Sequence, residues 1–213
     1  TVTSSHLPLV LIDTKGEPIP DEPKLTADMR IIWNPEGGMN AVNDTSSHYL
    51  GKIGIELRGS SSQALYPKKQ YAVETREEDG SNRNVSLLGL PSENDWILHA
   101  PYSDKTFMRN FLVYTLARET GRYASRCRFC ELLLNGEYMG IYILMEKIKR
   151  DRDRVDIATL NPDEISGDDL TGGYIIKIDK DEGSKTGGWQ SPYQPYTNAW
   201  QHVNYQYHDP DQH

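Results

Sequence analysis

The dipeptide Asn135-Gly136 constrains the fold of this chain more than any other short stretch. It separates CRFCELLL (127–134) from EYMGIYILMEKI (137–148), and both stretches are rich in residues that favour strands. Asn-Gly readily adopts the positive φ angles that a two-residue hairpin turn needs. We therefore predict an antiparallel hairpin over this region.

Other short apolar runs, bounded by turn residues, are predicted to be strands as well. They are LPLVLID (7–13), MRIIWN (29–34), two strands within IELRGSSSQALYPKKQYAVETR (55–76), WILHA (96–100) and GGYIIKID (172–179). Residues 15–24 contain three prolines and are predicted to be a loop.

One helix is predicted after residue 103, with Ser103 or Asp104 as its N-cap and Gly121 at its end. Its apolar stripe comprises Phe107, Phe111 and Tyr114, widened by Met108, Leu112 and Leu116. Together these elements predict an α+β fold, a mostly antiparallel sheet with one principal helix packed against it.

Composition excludes some functions and leaves others open. The formal net charge of −8 argues against non-specific nucleic-acid binding, which needs a basic surface. No apolar run approaches the roughly 18 residues of a spanning helix, so no transmembrane segment is expected. The chain starts at Thr1 with neither an initiator Met nor a signal peptide, which suggests an exported protein trimmed at this end.

Neither the cysteines nor the histidines of the sequence indicate a metal site. Cys127 and Cys130 lack a second cysteine pair, and in a strand they would face opposite sides, so we predict two packed structural thiols. The six histidines are scattered, and no metal site is predicted.

The stretch Arg58-Gly59-Ser60-Ser61, followed by Lys68 and Lys69, is the candidate binding site. Gly59 allows a sharp turn, and successive amides in such a turn can hold an anion. Arginine and lysine side chains add donors suited to phosphate oxygens. The same residues also fit an ordinary exposed hairpin.

A carboxylate is expected to orient one of these lysines. Glu146, at the end of the apolar run GIYILME, and Glu119, on the predicted helix, are the two candidates. A strand-end charge that reaches solvent is the alternative for Glu146.

Four stretches in order resemble the spore-coat protein H (CotH) kinase family: IELRGSSSQALYPKKQYAVET, LPSENDWILHAPYSDKTFMRN, NGEYMGIYILMEKIKRDRDRV and TGGYIIKID. The resemblance implies an atypical kinase that binds ATP with Mg²⁺ or Mn²⁺ and phosphorylates protein serine or threonine. It also implies a cell-surface or spore-coat association and therefore an extracytoplasmic location. Matched to the family's motifs, the nucleotide-binding residues are Arg58, Gly59, Ser60, Ser61, Lys68, Lys69 and Glu146.

The resemblance also implies an organisation. Residues 1–48 are expected to be a β-rich leader, residues 49–180 the smaller, nucleotide-covering lobe, and residues 181–213 an irregular connection toward a larger lobe. The family's metal ligands and catalytic acid lie in that larger lobe, before which this chain is expected to stop. The sequence therefore assigns no catalytic residue, and residues 1–213 are expected to be inactive alone and to hold no tightly bound cofactor.

A non-catalytic coat or surface module is the alternative function. In that case Trp189, Trp200 and the tyrosines between 193 and 207 would form an aromatic face for a glycan or a protein partner. The same aromatic residues would equally suit a contact surface for a larger lobe.

Overall fold

The computed structural model describes residues 2–179, 187–193 and 202–210. Of the residues that it describes, 39% are in strands and 10% are in helices, so this part of the protein is mostly β. The strands in this part of the chain are β1 (Ser4–Ser5), β2 (Leu9–Asp13), β3 (Leu25–Ile32), β4 (Asn40–Ala41), β5 (Tyr49–Arg58), β6 (Gln70–Arg76), β7 (Asp95–His99), β8 (Cys127–Leu134), β9 (Glu137–Glu146), β10 (Ile175–Ile178), β11 (Gly188–Gln190) and β12 (Asn204–Asp209). The helices are α1 (Ser61–Leu65) and α2 (Arg109–Glu119), with a 3-10 turn over Asp168–Thr171.

Seven of these strands form a closed barrel in the order β2-β3-β5-β6-β7-β9-β8. Six neighbouring pairs are antiparallel, including the predicted β8–β9 hairpin at Asn135-Gly136. The seventh pair closes the barrel: β2 runs parallel to β8, with Leu9 opposite Glu131. Closure leaves the barrel sheet without an open edge.

The predicted α+β fold is therefore wrong. The finding that overturns it is the closed barrel, which contains β2 and β3 from the supposed leader together with the strands after residue 49. The β2–β8 pair joins segments about 120 residues apart in sequence. Hydrophobic periodicity reports local structure only, so it could predict the strands but not the pairing that closes them into a barrel.

Every second residue of a barrel strand points into the barrel interior. In β6, Tyr71, Val73 and Thr75 are buried, while the residues between them are partly exposed. The other strands contribute apolar side chains to the same core, which includes Val10, Ile12, Met29, Ile31, Ile53, Ile55, Trp96, Leu98, Cys130, Leu132, Tyr142 and Leu144.

Helix α2 covers part of the outer face of the barrel. It packs Phe111 and Tyr114 against a second buried cluster, made of Ile97, Cys127, Ile143 and Met145. The rings of Phe111 and Phe129 stack with their centroids 4.9 Å apart. Cys127 therefore lies outside the barrel and Cys130 inside it, both unbonded and buried, as predicted for structural thiols.

The start and the outer face of α2 both differ from the sequence prediction. The helix begins at Arg109 with Met108 as its N-cap and no side-chain cap, so the N-cap predicted at Ser103 or Asp104 is wrong. The Asp104 carboxylate accepts hydrogen bonds from the backbone N–H groups of Thr106 (3.0 Å) and Arg109 (2.9 Å) and so holds the turn before the helix. Met108, Leu112 and Leu116, predicted to widen the buried stripe, are 49–55% exposed. Among the residues that the structure describes, the barrel packs on only one side of the helix, so the wider stripe stays exposed.

The described residues divide into two compact units, Thr1–Lys147 and Ile148–His213. The first contains the barrel and α2, and the second contains a three-stranded sheet of order β10-β12-β11. The domain limits proposed from the sequence, at residues 48 and 180, stay predictions. Trp200 and much of the predicted connection, residues 181–213, lie outside the described residues. In the part of the chain that the structure describes, neither helix is long and apolar enough to cross a membrane.

Candidate anion-binding site

Arg58, Gln70 and His99 form a row across three neighbouring barrel strands. Arg58 at the end of β5 is paired with Gln70 at the start of β6. Tyr71 pairs with Leu98, so the preceding Gln70 lies beside His99 at the end of β7. Directly opposed residues point to the same face of a sheet. Since Tyr71 and Leu98 point into the core, this row lies on the outside of the barrel.

Arg58 is the cation of this row that has no partner. Its side chain is exposed, and its guanidinium makes no hydrogen bond or ion pair with any residue that the structure describes. Protein atoms nevertheless crowd one side of it, and this desolvation lowers the pKa of Arg58, with a smaller opposing effect of Tyr114 on α2. A guanidinium that is partly desolvated and unpaired is well suited to bind an anion.

His99 is held in one orientation by two amide side chains. Its Nδ1 lies 2.6 Å from Oε1 of Gln70, and its Nε2 lies 3.2 Å from Nδ2 of Asn110 on α2. An amide oxygen only accepts and an amide nitrogen only donates, so Nδ1 carries the proton and Nε2 accepts. The imidazole is therefore neutral in this arrangement.

The surroundings of His99 favour that neutral form. Burial is the main cause that lowers the pKa of His99, and the positive charge of Arg58 lowers it further. The negative charge of Asp104 acts in the opposite direction but does not offset them. The electrostatic coupling between Arg58 and His99 follows from their positions in one row.

Gly59 and the two serines turn the chain away from this row. Gly59 has a φ of 100°, and a Cβ atom there would lie 2.2 Å from Oγ of Ser62. The Ser60 carbonyl accepts a hydrogen bond from the Gln63 amide at 3.0 Å, and Ser61 begins α1. The chain after Arg58 thus makes the sharp turn that Gly59 allows and continues into a five-residue helix.

The two predicted lysines make internal contacts. The Lys69 ammonium donates to the carbonyls of Gln63 (2.5 Å) and Tyr66 (2.9 Å) at the end of α1. The Lys68 ammonium donates to the Ile141 carbonyl (2.6 Å) and lies 4.4 Å from the centroid of the Tyr142 ring. Burial lowers the pKa of Lys68. Both lysines therefore stabilise the turn and the barrel in this structure.

Glu146 is the last residue of β9, whereas Lys68 contacts the middle of that strand. Its buried carboxylate accepts hydrogen bonds from Nε of Arg126 (2.8 Å) and from the Arg126 backbone N–H (2.9 Å). Lys68 contacts the carbonyl of Ile141, five residues earlier on the same strand, which places the two groups roughly 17 Å apart along it. Glu119, the other candidate, is exposed on α2.

The structure thus places Arg58 and Gly59 together at one end of the barrel and brings neither lysine into contact with Glu146. The sequence reading missed Gln70, His99 and Asn110. A usable signal was present: His99 is the polar residue near the end of the apolar run WILHA, and Arg58 ends the strand that precedes the turn. The strand register that aligns these two strand ends could not be predicted from the sequence.

The divalent metal implied by the resemblance has no fitting ligands in the described chain. No three His, Cys, Asp or Glu side chains come together there in a geometry that holds a metal ion. Arg58, by contrast, fits the phosphate groups of a nucleotide, because its guanidinium is exposed and unpaired.

A second surface feature lies in the unit Ile148–His213. Trp189 on β11 stacks on Tyr205 of β12, with ring centroids 5.3 Å apart and planes within 15°. Trp189 is 43% exposed, and the nearby Tyr193 is 80% exposed. Flat, exposed aromatic rings of this kind provide an amphipathic contact surface.

Comparison with known proteins agrees with the motifs. No curated protein matches the chain. The family model described as CotH kinase protein matches residues 55–212, which is most of the chain and includes both the Arg58 row and the aromatic pair. This protein belongs to the CotH kinase family.

Proposed function

We propose that this chain is the nucleotide-covering portion of a CotH-type protein kinase, which transfers the γ-phosphate of ATP to protein serine or threonine. The observation that carries the proposal is the unpaired guanidinium of Arg58 beside the bend at Gly59. Family membership supports the choice of ATP as the ligand. Arg58 would hold a phosphate oxygen pair, since a guanidinium offers two parallel donors.

The two lysines and Glu146 have supporting roles in this proposal. Lys69 fixes the end of α1, which directly follows the Gly59 bend, and Lys68 anchors the chain before β6 to β9. Glu146 fixes the barrel end through Arg126. These contacts keep the strand end that carries Arg58 in place rather than reaching the phosphates themselves.

Calorimetric titration with ATP and Mg²⁺ tests the proposal on the 213-residue chain. We expect weak binding that Arg58→Gln reduces about tenfold, because loss of charge-assisted hydrogen bonds costs about 1.5 kcal/mol. Arg83→Gln is the matched control, since Arg83 lies near Tyr49 at the opposite end of β5. Equal affinities of the wild type and Arg58→Gln would refute the proposed phosphate contact.

Phosphoryl transfer requires groups that hold the metal and orient the acceptor hydroxyl. We assign no such groups in the described residues, so we expect the 213-residue chain to transfer no label from γ-labelled ATP to itself or to a generic protein acceptor. Robust ATP-dependent labelling would contradict this assignment. We also propose, from the family resemblance, that the protein acts at a cell surface or otherwise outside the cytoplasm.

The Trp189–Tyr205 stack favours a second candidate function, a surface module that binds a glycan or a protein partner. Sugar rings stack on exposed aromatic faces through their apolar C–H surface. Titration of the chain with oligosaccharides, followed by tryptophan fluorescence, tests it with Trp189→Ala as the variant. Glycan binding that Trp189→Ala abolishes, together with no heat on addition of ATP, would favour this function over the kinase proposal.

A further inference from the structure

The Arg58 row contains a histidine whose protonation is blocked by its neighbour. In the neutral form, Nε2 of His99 accepts from the amide nitrogen of Asn110 at 3.2 Å. A proton added at Nε2 would face the amide N–H of Asn110, and two donors cannot hydrogen-bond to each other. The charged form of His99 therefore requires a hydrogen-bond acceptor at Nε2, which the Asn110 amide does not offer in this orientation.

The sheet sets the spacing between Arg58 and His99. Neighbouring strands are about 4.8 Å apart, so Arg58 and His99, two strands apart, are separated by roughly 10 Å at their Cα atoms. Gln70 lies between them, with its amide oxygen on His99 and its amide nitrogen 3.4 Å from Oγ of Ser62. Nδ1 of His99 faces Gln70 and its Nε2 faces Asn110 on α2, so a group that binds both Nε2 and the long Arg58 side chain takes the place of the Asn110 amide.

We propose that Arg58 and His99 together bind a tetrahedral dianion across this row, and that His99 takes up a proton at Nε2 as the dianion binds. The proton comes from solvent and returns to it on dissociation, while the amide of Asn110 turns or withdraws. The identity of the ligand as a nucleotide phosphate rests on the function proposed above. The geometry of the site does not depend on it.

The charges around His99 are compatible with this coupling. Arg58 on β5 disfavours a second positive charge, and a bound dianion offsets it. Asp104, in the loop before α2, has its pKa lowered by hydrogen bonds from Thr106 and Arg109, so it stays ionised over the range in which His99 titrates. Gln70 and Asn110 are neutral, and Tyr114 acts on Arg58 from α2. His99 is then the group in this row that changes charge.

The test is an NMR titration of the histidine ring signals of the 213-residue chain between pH 4.5 and 8. Sodium sulfate is the probe, at constant ionic strength set with NaCl, because sulfate stays dianionic where phosphate changes its charge. We expect the titration midpoint of His99 to rise by half a pH unit or more, roughly a threefold coupling. His48 is the internal reference, since burial also lowers its pKa, while its Nε2 accepts from the Leu88 amide at 2.9 Å.

Two variants separate binding from mere structural support. Arg58→Gln removes a positive neighbour, so the pKa of His99 should rise without sulfate and respond little to it. Asn110→Asp supplies an acceptor in the protein itself, so its His99 should titrate higher without any added anion. Parallel titrations at pH 7 with ATP and with adenosine show whether the phosphates are the part that is recognised.

Each result decides between the possibilities. If sulfate leaves the midpoint of His99 unchanged, or shifts His48 equally, the inference is overturned. If ATP binding depends on Arg58 while His99 remains unresponsive, the proposed function stands and the role of His99 falls. If sulfate moves His99 but ATP binds no better than sulfate, the dianion site stands and the nucleotide function falls.

Discussion

Glu146 and Arg126 are joined by two hydrogen bonds, 2.8 Å from the guanidinium Nε to one carboxylate oxygen and 2.9 Å from the backbone N–H to the other. The carboxylate is fully buried, and the Arg126 side chain is one-third exposed. This pairing ties the end of β9 to the residue that precedes β8. The Glu146 carboxylate therefore stabilises the barrel, whereas the sequence suggested that it would orient a lysine.

Removing that carboxylate should destabilise the fold. We expect Glu146→Ala to lower the free energy of unfolding by about 2–4 kcal/mol, since it deletes a buried group and leaves its donors unpaired. Urea denaturation measures the change. Glu119→Ala, at an exposed position of α2, is the control and should stay within about 0.5 kcal/mol of the wild type. A loss below 1 kcal/mol for Glu146→Ala would contradict the assigned role.

Gly59 should tolerate alanine poorly for two separable reasons. Its φ of 100° disfavours any Cβ, and the added atom would also meet Oγ of Ser62. Gly80 has a φ of 88° with nothing within 4 Å of a Cβ, so Gly80→Ala isolates the backbone cost, about 1–2 kcal/mol. We expect Gly59→Ala to cost about 1 kcal/mol more in chemical denaturation. Equal losses would show that the Ser62 contact relaxes freely.

Lys69 offers a direct contrast with Arg58. Because its ammonium donates to the carbonyls of Gln63 and Tyr66 and supports the Arg58 strand end only indirectly, Lys69→Gln should weaken ATP affinity about twofold, while Arg58→Gln weakens it about tenfold. Calorimetry at fixed pH and Mg²⁺ concentration measures both. If Lys69→Gln weakens binding as much as Arg58→Gln does, Lys69 contacts the phosphates as the family resemblance implies.

The neutral state of His99 should make the fold sensitive to acid. Its pKa is lowered on folding, so the unfolded chain binds more protons below pH 6.5, and stability falls as pH drops from 6.5 toward the folded pKa. Above pH 6.5 the contribution is constant. We expect His99→Gln to reduce the loss of unfolding free energy between pH 7.5 and 5. An unchanged pH profile in the variant would show that His99 is not held neutral.

The sequence predicted local structure well where turn chemistry determined it. Asn135-Gly136 predicted the β8–β9 hairpin, and Gly121, predicted to end α2, has a φ of 77° directly after its C-cap Thr120. The parallel pairing of Leu9 with Glu131 was out of reach, because it depends on a barrel that closes between distant segments. That closure is the reason the predicted α+β fold was wrong.

The candidate site was predictable only in part for the same reason. Arg58 and Gly59 lie in one short stretch and could be recognised by residue type. Gln70 and His99 become neighbours of Arg58 only through cross-strand register, and Asn110 only through the packing of α2 on the barrel. Residue type alone does not tell a lysine that binds carbonyls, such as Lys69, from one that binds an anion.

The most direct test of the central claim observes the guanidinium itself. In an NMR titration of the ¹⁵N-labelled chain with ATP, the Nε–H signal of Arg58 should shift progressively, while that of Arg83 stays in place and adenosine has no effect on either. A static Arg58 signal at ATP concentrations that produce binding heat would contradict the claim that this arginine holds the phosphate.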